Sequence, residues 1–153
     1  MATAWEKFEE LMKAELMKTY SEKVVEYIMN PRNIGSIPDA NAHSSVLGAC
    51  GDNMQMWLHI KDNKIVKASF WTDGCGATGA CGGITTDLAS GKTLGDALTI
   101  SPEVIIESLG GLPEDHVHCA GLASLSLKKA IVGYLSNKDD PWKRAYAKDS
   151  EIV

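Results

Sequence analysis

The four cysteines of the chain are the residues best equipped for chemistry. Cys50 lies in the run ACGD, Cys75 and Cys81 share the glycine-rich run GCGATGACGG, and Cys119 lies in HVHCAG. The pair within GCGATGACGG could be two redox partners, two metal ligands, or one ligand beside a bystander. The intervals between successive cysteines are 24, 5 and 37 residues. None is the C-x₂-C of a zinc ribbon or a redox site, so spacing by itself leaves these alternatives open.

Three of the cysteines are predicted to lie at the ends of secondary-structure elements. Cys50, Cys75 and Cys119 have glycine or alanine neighbours, which leave room for a bulky inorganic group. Cys75 and Cys119 are also expected to begin helices, where the pKa of a thiol can fall from about 8.5 to roughly 3.5–7.5. Soft metals and persulfide chemistry both require thiolates. Cys81 would lie one turn inside a helix, where a cysteine is often a small buried hydrophobe, so its role stays open.

The polar neighbours of the cysteines supply further candidates. Asp52, two residues after Cys50, is a turn residue, a ligand or a support for a ligand. His118, beside Cys119, is a ligand, a base or a surface residue. The other three histidines, His43, His59 and His116, are interpreted as structural or exposed.

Composition narrows the class of protein. The chain has 153 residues, 44% of them hydrophobic, which suits one globular domain. Its net charge of −5 argues against a nucleic-acid binder, and no apolar run approaches the roughly 20 residues of a membrane span. Acidic residues throughout positions 6–15 argue against a secretory or transit peptide. A cytoplasmic location is expected, where four cysteines favour metal or reactive chemistry over disulfides.

Periodicity predicts helices, then strands, then helices. An amphipathic helix is expected over residues 5–16, and Thr19 to Glu22 predicts a capping box for a second helix that ends before Asn30-Pro31. Strands are predicted over 44–49, 54–60 and 64–72, with Val66, Ala68 and Phe70 on one face of the last. Helices follow over 77–91, 102–109 and 118–135. The expected fold is α+β, a three-stranded antiparallel sheet covered by helices, with an N-terminal helix and a long C-terminal helix.

The predicted domain runs over residues 1–135, with 1–19 as the N-terminal helix and 136–153 as a charged tail. Four segments within it resemble one known family. These are YSEKVVEYIMNPRNIG (20–35), ACGD (49–52), DGCGATGA (73–80) and HVHCA (116–120). They occur in the same order as in the iron–sulfur cluster assembly scaffolds, the IscU type and the N-terminal domain of the NifU type. The resemblance covers roughly residues 20–135.

The resemblance implies a scaffold and carrier, not an enzyme. It implies that a pyridoxal-phosphate-dependent cysteine desulfurase delivers persulfide sulfur, that a [2Fe–2S] cluster forms on the chain, and that recipient apo-proteins receive it. By motif position, Cys50, Cys75 and Cys119 resemble the cluster ligands, and Cys119 also the persulfide acceptor. Asp52 matches the aspartate that keeps the cluster labile, and His118 the histidine beside the last cysteine. Zn²⁺ could occupy the same thiolates.

The sequence departs from the family pattern in two places. Many bacterial relatives of the IscU type carry Leu-Pro-Pro-Val-Lys before the His-Cys pair, where an Hsp70-type chaperone binds. Here the segment is LPEDH (112–116), which argues against that partner. The family usually has a small residue such as serine where this chain has Cys81, which is therefore an uncertain metal ligand.

Two other functions fit the same cysteines. The chain could be a zinc-dependent sulfur acceptor resembling the SufU type, in which Cys119 takes up sulfur and His118 assists. It could also be a structural zinc protein, although Asp52 and an accessible site argue against a closed zinc centre. Because a cluster can bridge two subunits, a homodimer stays open beside a monomer.

Overall fold

The computed structural model describes residues 3–49 and 51–137. Within these ranges six α-helices surround three strands. The helices are α1 (Ala4–Met17), α2 (Glu22–Met29), α3 (Gly76–Ala89), α4 (Leu94–Ala97), α5 (Pro102–Ser108) and α6 (Val117–Asn137), and the strands are β1 (Ala42–Leu47), β2 (Asn53–Lys61) and β3 (Lys64–Thr72). A 3₁₀ turn, Glu114–His116, leads into α6. Beyond residue 137 the predicted tail lies outside the described residues.

The strands form one antiparallel sheet in the order β1-β2-β3, which confirms the predicted meander. The inward face of β2 carries Met54, Met56, Leu58 and Ile60, all at most 3% exposed, as their alternation predicts. Helix α6 packs against β1 and β2, and α3 packs against β3. The predicted α+β fold with helices on an antiparallel sheet is therefore confirmed.

The predicted inward face of β3 is wrong at one residue. Ala68 and Phe70 are buried, but Val66 is 58% exposed and its neighbour Ile65 is fully buried. The register explains the exchange, because Lys67 pairs with His59 whereas Ile65 pairs with Ile60. Val66 is thus the extra residue of a β-bulge, and a bulge reverses the alternation of side chains beyond it.

The predicted start of α2 is also corrected. The backbone N–H groups of Thr19 and Tyr20 still bond to the carbonyl of Leu16, so these residues finish the turn that ends α1. Ser21 is the N-cap of α2, and its hydroxyl oxygen accepts from the backbone N–H of Val24. The same hydroxyl donates to the carbonyl of Leu109, which ties α2 to the end of α5.

Helix α1 has the predicted amphipathic pattern, but its apolar stripe is largely uncovered. Trp5, Phe8 and Leu11 are 65%, 52% and 71% exposed. A reciprocal capping box, Thr3 with Glu6, fixes the start of the helix. Periodicity therefore predicts the helix correctly, whereas none of its described residues is buried.

Helix α3 lies unusually close to its neighbours because two of its residues are glycines. A Cβ at Gly82 would lie 2.5 Å from the ring of Phe70, and one at Gly83 would lie 2.7 Å from the ring of Tyr27. Any side chain at either position would therefore push α3 away from β3 or from α2. This contact fixes the position of the N-terminal turn of α3.

The outer edge of β3 is bonded to two loops. The backbone N–H of Phe70 donates to the carbonyl of Asn33 (2.8 Å), and that of Gly35 donates to the carbonyl of Phe70 (2.9 Å). Near the other end of the strand, the backbone N–H of Ile65 donates to the backbone carbonyl of Lys92 (2.8 Å). Loop backbone thus satisfies hydrogen-bonding groups that an edge strand would leave open.

A polar network around Asp87 joins α2, the following loop and α3. The carboxylate accepts from the hydroxyl of Tyr27 and, over 2.7 Å, from the side-chain amide of Asn33. Arg32 lies over the ring of Tyr27, 4.8 Å from its centroid. Burial raises the pKa of Tyr27, and the hydrogen bond and charge of Asp87 add to the shift, so the phenol stays a donor at neutral pH.

We expect Asp87→Ala to lower the free energy of unfolding by about 2 kcal/mol, because the substitution leaves the Tyr27 hydroxyl and the Asn33 amide without their shared acceptor. Urea denaturation followed by circular dichroism measures the change. Glu107→Ala, which removes an exposed carboxylate from α5, is the control and should change the free energy by no more than about 0.5 kcal/mol. Equal effects of the two substitutions would contradict the role assigned to Asp87.

Candidate metal centre

Two cysteine sulfurs and a histidine nitrogen meet at the N-terminal ends of α3 and α6. Cys75 is the N-cap of α3, Cys119 lies in the first turn of α6, and His116 ends the preceding 3₁₀ turn. Their ligand atoms all lie within 4.8 Å of one another. Ligand atoms of a tetrahedral site with bonds of about 2.0–2.3 Å lie roughly 3.3–3.8 Å apart, so a small contraction would allow all three to bind one ion.

Thr78 occupies the space between these groups, and the sequence analysis missed it. Its side chain is fully buried. Its hydroxyl oxygen lies 3.3 Å from the Cys119 sulfur and 3.6 Å from the Cys75 sulfur. The available signal was its position at N3 of α3, because the N-cap and N3 side chains of a helix face each other.

Asp52 borders the same space from the loop between β1 and β2. The Thr78 hydroxyl donates to its Oδ2 atom over 3.3 Å. The β3–α3 junction also approaches it, because a Cβ at Gly74 would lie 2.8 Å from that oxygen. Asp52 is thus linked to the Cys75 and Cys119 sulfurs by the Thr78 hydroxyl, which contacts all three groups. Cys50 lies outside the described residues, and its ligand role stays a prediction.

The histidine grouped with the two sulfurs is His116, whereas the sequence analysis had singled out His118. His118 is exposed, with Nε2 3.6 Å from the Cys119 sulfur. His116, interpreted from the sequence as structural or exposed, is half-buried and is the histidine of the candidate metal-ligand group. It lies three residues before Cys119, a spacing that puts both on one side of a helical turn. Its Nε2 also contacts the Tyr20 hydroxyl, 3.4 Å away.

The two remaining histidines lie on the sheet, away from this centre. His43 contacts the Gln55 side chain over 3.1 Å on the face opposite the core methionines. His59 contacts the backbone carbonyl of Asp39 over 3.0 Å. Their interpretation as structural residues agrees with these contacts.

Comparison with known proteins decides the family. A model of the NifU-like N-terminal domain matches residues 19–140. The chain belongs to this family. The match contains Cys50, Cys75, Cys119, Asp52 and both histidines near Cys119, and it begins after α1. The resemblance found in the sequence is therefore confirmed.

Two relatives of this NifU-like domain are both named iron-sulfur cluster assembly scaffold proteins. It is 43% identical over 116 residues to the iron-sulfur cluster assembly scaffold protein IscU 1 of Archaeoglobus fulgidus, covering 75% of this chain and 76% of the relative. It is 39% identical over 125 residues to the IscU scaffold protein of Escherichia coli K12, covering 78% and 97%.

A solved structure supports the fold. It is a putative iron-sulfur cluster assembly scaffold protein for the SUF system from Fervidobacterium islandicum AW-1. The TM-score is 0.60 at 21% identity, over 73% of this chain and 96% of that one. Among the described residues of this NifU-like domain, no helix has the length and apolarity of a membrane span.

Cys81 belongs to the core of this NifU-like domain. Its side chain is fully buried, and its sulfur is not part of the group formed by Cys75, His116 and Cys119. Burial raises the pKa of the Cys81 thiol far above its usual value, and negative charge on Cys119 or Cys75 would raise it further. The buried-hydrophobe interpretation, one of those left open, fits this environment best.

The pKa of the Cys75 thiol is shifted in the opposite direction from that of Cys81. Partial burial by itself would raise its pKa, but hydrogen bonds from the backbone amides of Thr78 and Ala77 act in the opposite direction. The net shift lowers the pKa of Cys75, as expected for a thiol that begins a helix. The exposed Cys75 sulfur therefore carries more thiolate at neutral pH than an ordinary cysteine.

We expect iodoacetamide to alkylate Cys75 at least about tenfold faster than Cys81 in the native protein at neutral pH, because Cys75 combines exposure with a lowered pKa. Peptide mass spectrometry after timed quenching measures each site separately. In urea the two rates should converge. Comparable rates in the native protein would contradict the burial of Cys81.

Proposed function

We propose that this chain is a scaffold on which an iron–sulfur cluster is assembled from iron, desulfurase-derived persulfide sulfur and electrons from an external reductant, and is then transferred to apo-proteins. The observation that carries the proposal is the convergence of the Cys75 and Cys119 sulfurs with the His116 nitrogen within 4.8 Å. The names of the relatives support it, since both the archaeal and the bacterial ones are called cluster assembly scaffolds.

The cluster that suits these donors is [2Fe–2S]. Four ligands complete its two irons, and a stable ferredoxin site supplies four thiolates. Here Cys50, Cys75 and Cys119 are the proposed thiolates, and the fourth position falls to a weaker donor from Asp52, His116 or His118. The half-buried His116 is favoured among the histidines because it lies near the Cys75 and Cys119 sulfurs. A weaker fourth ligand makes the cluster easier to release, which transfer requires.

Sulfur delivery is proposed to occur on Cys119. Its thiolate would attack the outer sulfur of a persulfide on a pyridoxal-phosphate-dependent cysteine desulfurase. One sulfur–sulfur bond forms, one breaks, and the desulfurase thiolate leaves, so no external oxidant is needed. Cys119 is only 1% exposed. The residues that cover Cys119 must therefore move aside before the donor persulfide can reach the sulfur.

A zinc-dependent sulfur acceptor is the second candidate. It is supported by the same Cys75–His116–Cys119 group, because two thiolates and an imidazole are ligands that Zn²⁺ binds well. In that case Cys119 would accept sulfur while a zinc ion, not a cluster, occupies the centre. The two candidates differ in the metal that must be present when sulfur moves.

Anaerobic reconstitution with iron, cysteine, a cysteine desulfurase and a thiol reductant tests the proposal. We expect the absorption spectrum of a [2Fe–2S] cluster, which then passes to an apo-ferredoxin. Cys81→Ser should still assemble the cluster because Cys81 lies outside the ligand group, whereas Cys75→Ser should reduce cluster yield by about tenfold or more because it removes a thiolate. Both variants remove one sulfur from α3 or its cap, so each controls for the other.

Three outcomes would contradict the assignment. Complete failure of Cys81→Ser to assemble a cluster would make Cys81 an essential ligand. Persulfide turnover on zinc-loaded protein without any cluster would favour the second candidate. Loss of the fold on chelation, with no movement of sulfur, would indicate a structural zinc protein.

We expect Asp52→Ala to slow cluster loss by about tenfold while assembly continues, because the carboxylate is proposed to keep the cluster labile. The decay of cluster absorbance in the presence of a chelator measures the rate. Asp73→Ala, on the β3–α3 junction, is the control for loss of a nearby negative charge. Unchanged or faster loss in Asp52→Ala would contradict the proposed role.

A further inference from the structure

We propose that Thr78 is a positioning residue of this centre, whose hydroxyl holds the Asp52 carboxylate beside the two sulfurs and so sets how readily the centre releases its cluster. The inference rests on the proposed scaffold function and adds a residue to it. Thr78 acts through Asp52, so its role is distinct from that of a ligand.

The hydroxyl of Thr78 has a single proton to donate. An ionised carboxylate can only accept, so the 3.3 Å contact with Asp52 requires Thr78 to be the donor. In their thiol forms, Cys119 and Cys75 can then donate S–H groups to the same oxygen, over 3.3 and 3.6 Å. One hydroxyl thereby links the carboxylate to Cys75 and Cys119.

The burial of Thr78 makes this link selective. Its side chain is fully buried, whereas Asp52 is only partly so. Water therefore does not compete for the hydroxyl as it would at the surface, and the partners of Thr78 are set by the protein. The hydrogen-bond partners available to the buried Thr78 hydroxyl are therefore the carboxylate and the two sulfurs.

The position of Thr78 is fixed by the packing of α3. Thr78 lies one turn before Gly82, which is pressed against Phe70, so α3 cannot shift without disturbing the sheet. Asp52 lies in the loop between β1 and β2, where its backbone carbonyl accepts from the N–H of Gly48 over 2.7 Å. The Thr78 hydroxyl therefore contacts the Asp52 carboxylate from a helix whose place is set by the core.

The glycine at position 74 is a second observation for the same contact. A Cβ there would lie 2.8 Å from the Asp52 Oδ2 atom and equally close to the Cβ and Oγ1 atoms of Thr78. Only a residue without a side chain leaves the carboxylate and the hydroxyl room to meet. In contrast, a Cβ at Gly79 in the next turn would meet nothing within 4 Å.

Substitutions at position 78 separate the effect of the hydroxyl group from the effect of the side-chain volume. Thr78→Val removes the donor and keeps the shape, and Thr78→Ser keeps the donor. Thr85→Val is the matched control, because Thr85 is also fully buried on α3 and its hydroxyl has no hydrogen-bond partner within the described residues. The 153-residue chain is used in each case, reconstituted anaerobically with iron, cysteine, a desulfurase and a thiol reductant.

We expect Thr78→Val to slow cluster loss to a chelator by roughly three- to tenfold, which lies within the range for one typical protein hydrogen bond. Thr78→Ser and Thr85→Val should stay within about twofold of the wild type. In an Asp52→Ala background Thr78→Val should add nothing further, because two residues that act as one unit are not additive. Gly74→Ala should resemble Thr78→Val, and Gly79→Ala should resemble the wild type.

A second readout does not depend on a cluster. In the apo-protein at neutral pH, the carbon-13 resonance of the Asp52 carboxylate should move in Thr78→Val, stay in place in Thr85→Val, and return in Thr78→Ser. If no cluster forms on the wild-type protein, the scaffold proposal fails while this readout still tests the contact.

Two results would overturn the inference. The first is a cluster-loss rate in Thr78→Val equal to that of the wild type, with an unmoved Asp52 resonance. The second is an equal slowing by Thr78→Val with and without Asp52, which would mean that the hydroxyl acts directly on the sulfurs. Neither result would remove the evidence for cluster assembly itself.

Discussion

The close contact of α3 with the sheet and with α2 is the constraint on which the rest of this structure depends. Gly82 against Phe70 and Gly83 against Tyr27 leave no space for even a methyl group. Helix formation alone disfavours glycine by roughly 1 kcal/mol relative to alanine. The two glycines therefore lower the intrinsic stability of α3 while they allow it to approach β3 and α2 closely. Packing and the polar contacts of Asp87 with Tyr27 and Asn33 must compensate for that loss.

The close approach of α3 to its neighbours explains where the candidate centre lies. Its first turn brings Cys75 and Thr78 to the point where α6 begins with Cys119 and where the β1–β2 loop carries Asp52. Each of these segments contributes only one or two polar groups. No segment forms a centre alone, so the geometry of the centre depends on the packing of the whole core, which is cooperative.

The sequence was informative where a local rule governs the outcome. Alternation identified the buried face of β2, and helix starts correctly located Cys75 and Cys119. It was uninformative where the outcome depends on register or on contacts between distant segments. The bulge that exposes Val66 is set by pairing with β2, and the roles of Thr78 and His116 depend on which groups face them across the centre.

The loop pairing along β3 has a consequence for behaviour outside the native fold. Backbone groups of Phe70 and Ile65 that could recruit a foreign strand are already bonded to residues 33–35 and 91–92. The sheet therefore grows less readily on that side, because an added strand would first have to displace the two loops. The loops that complete the sheet in the native fold thus also protect this edge against aggregation.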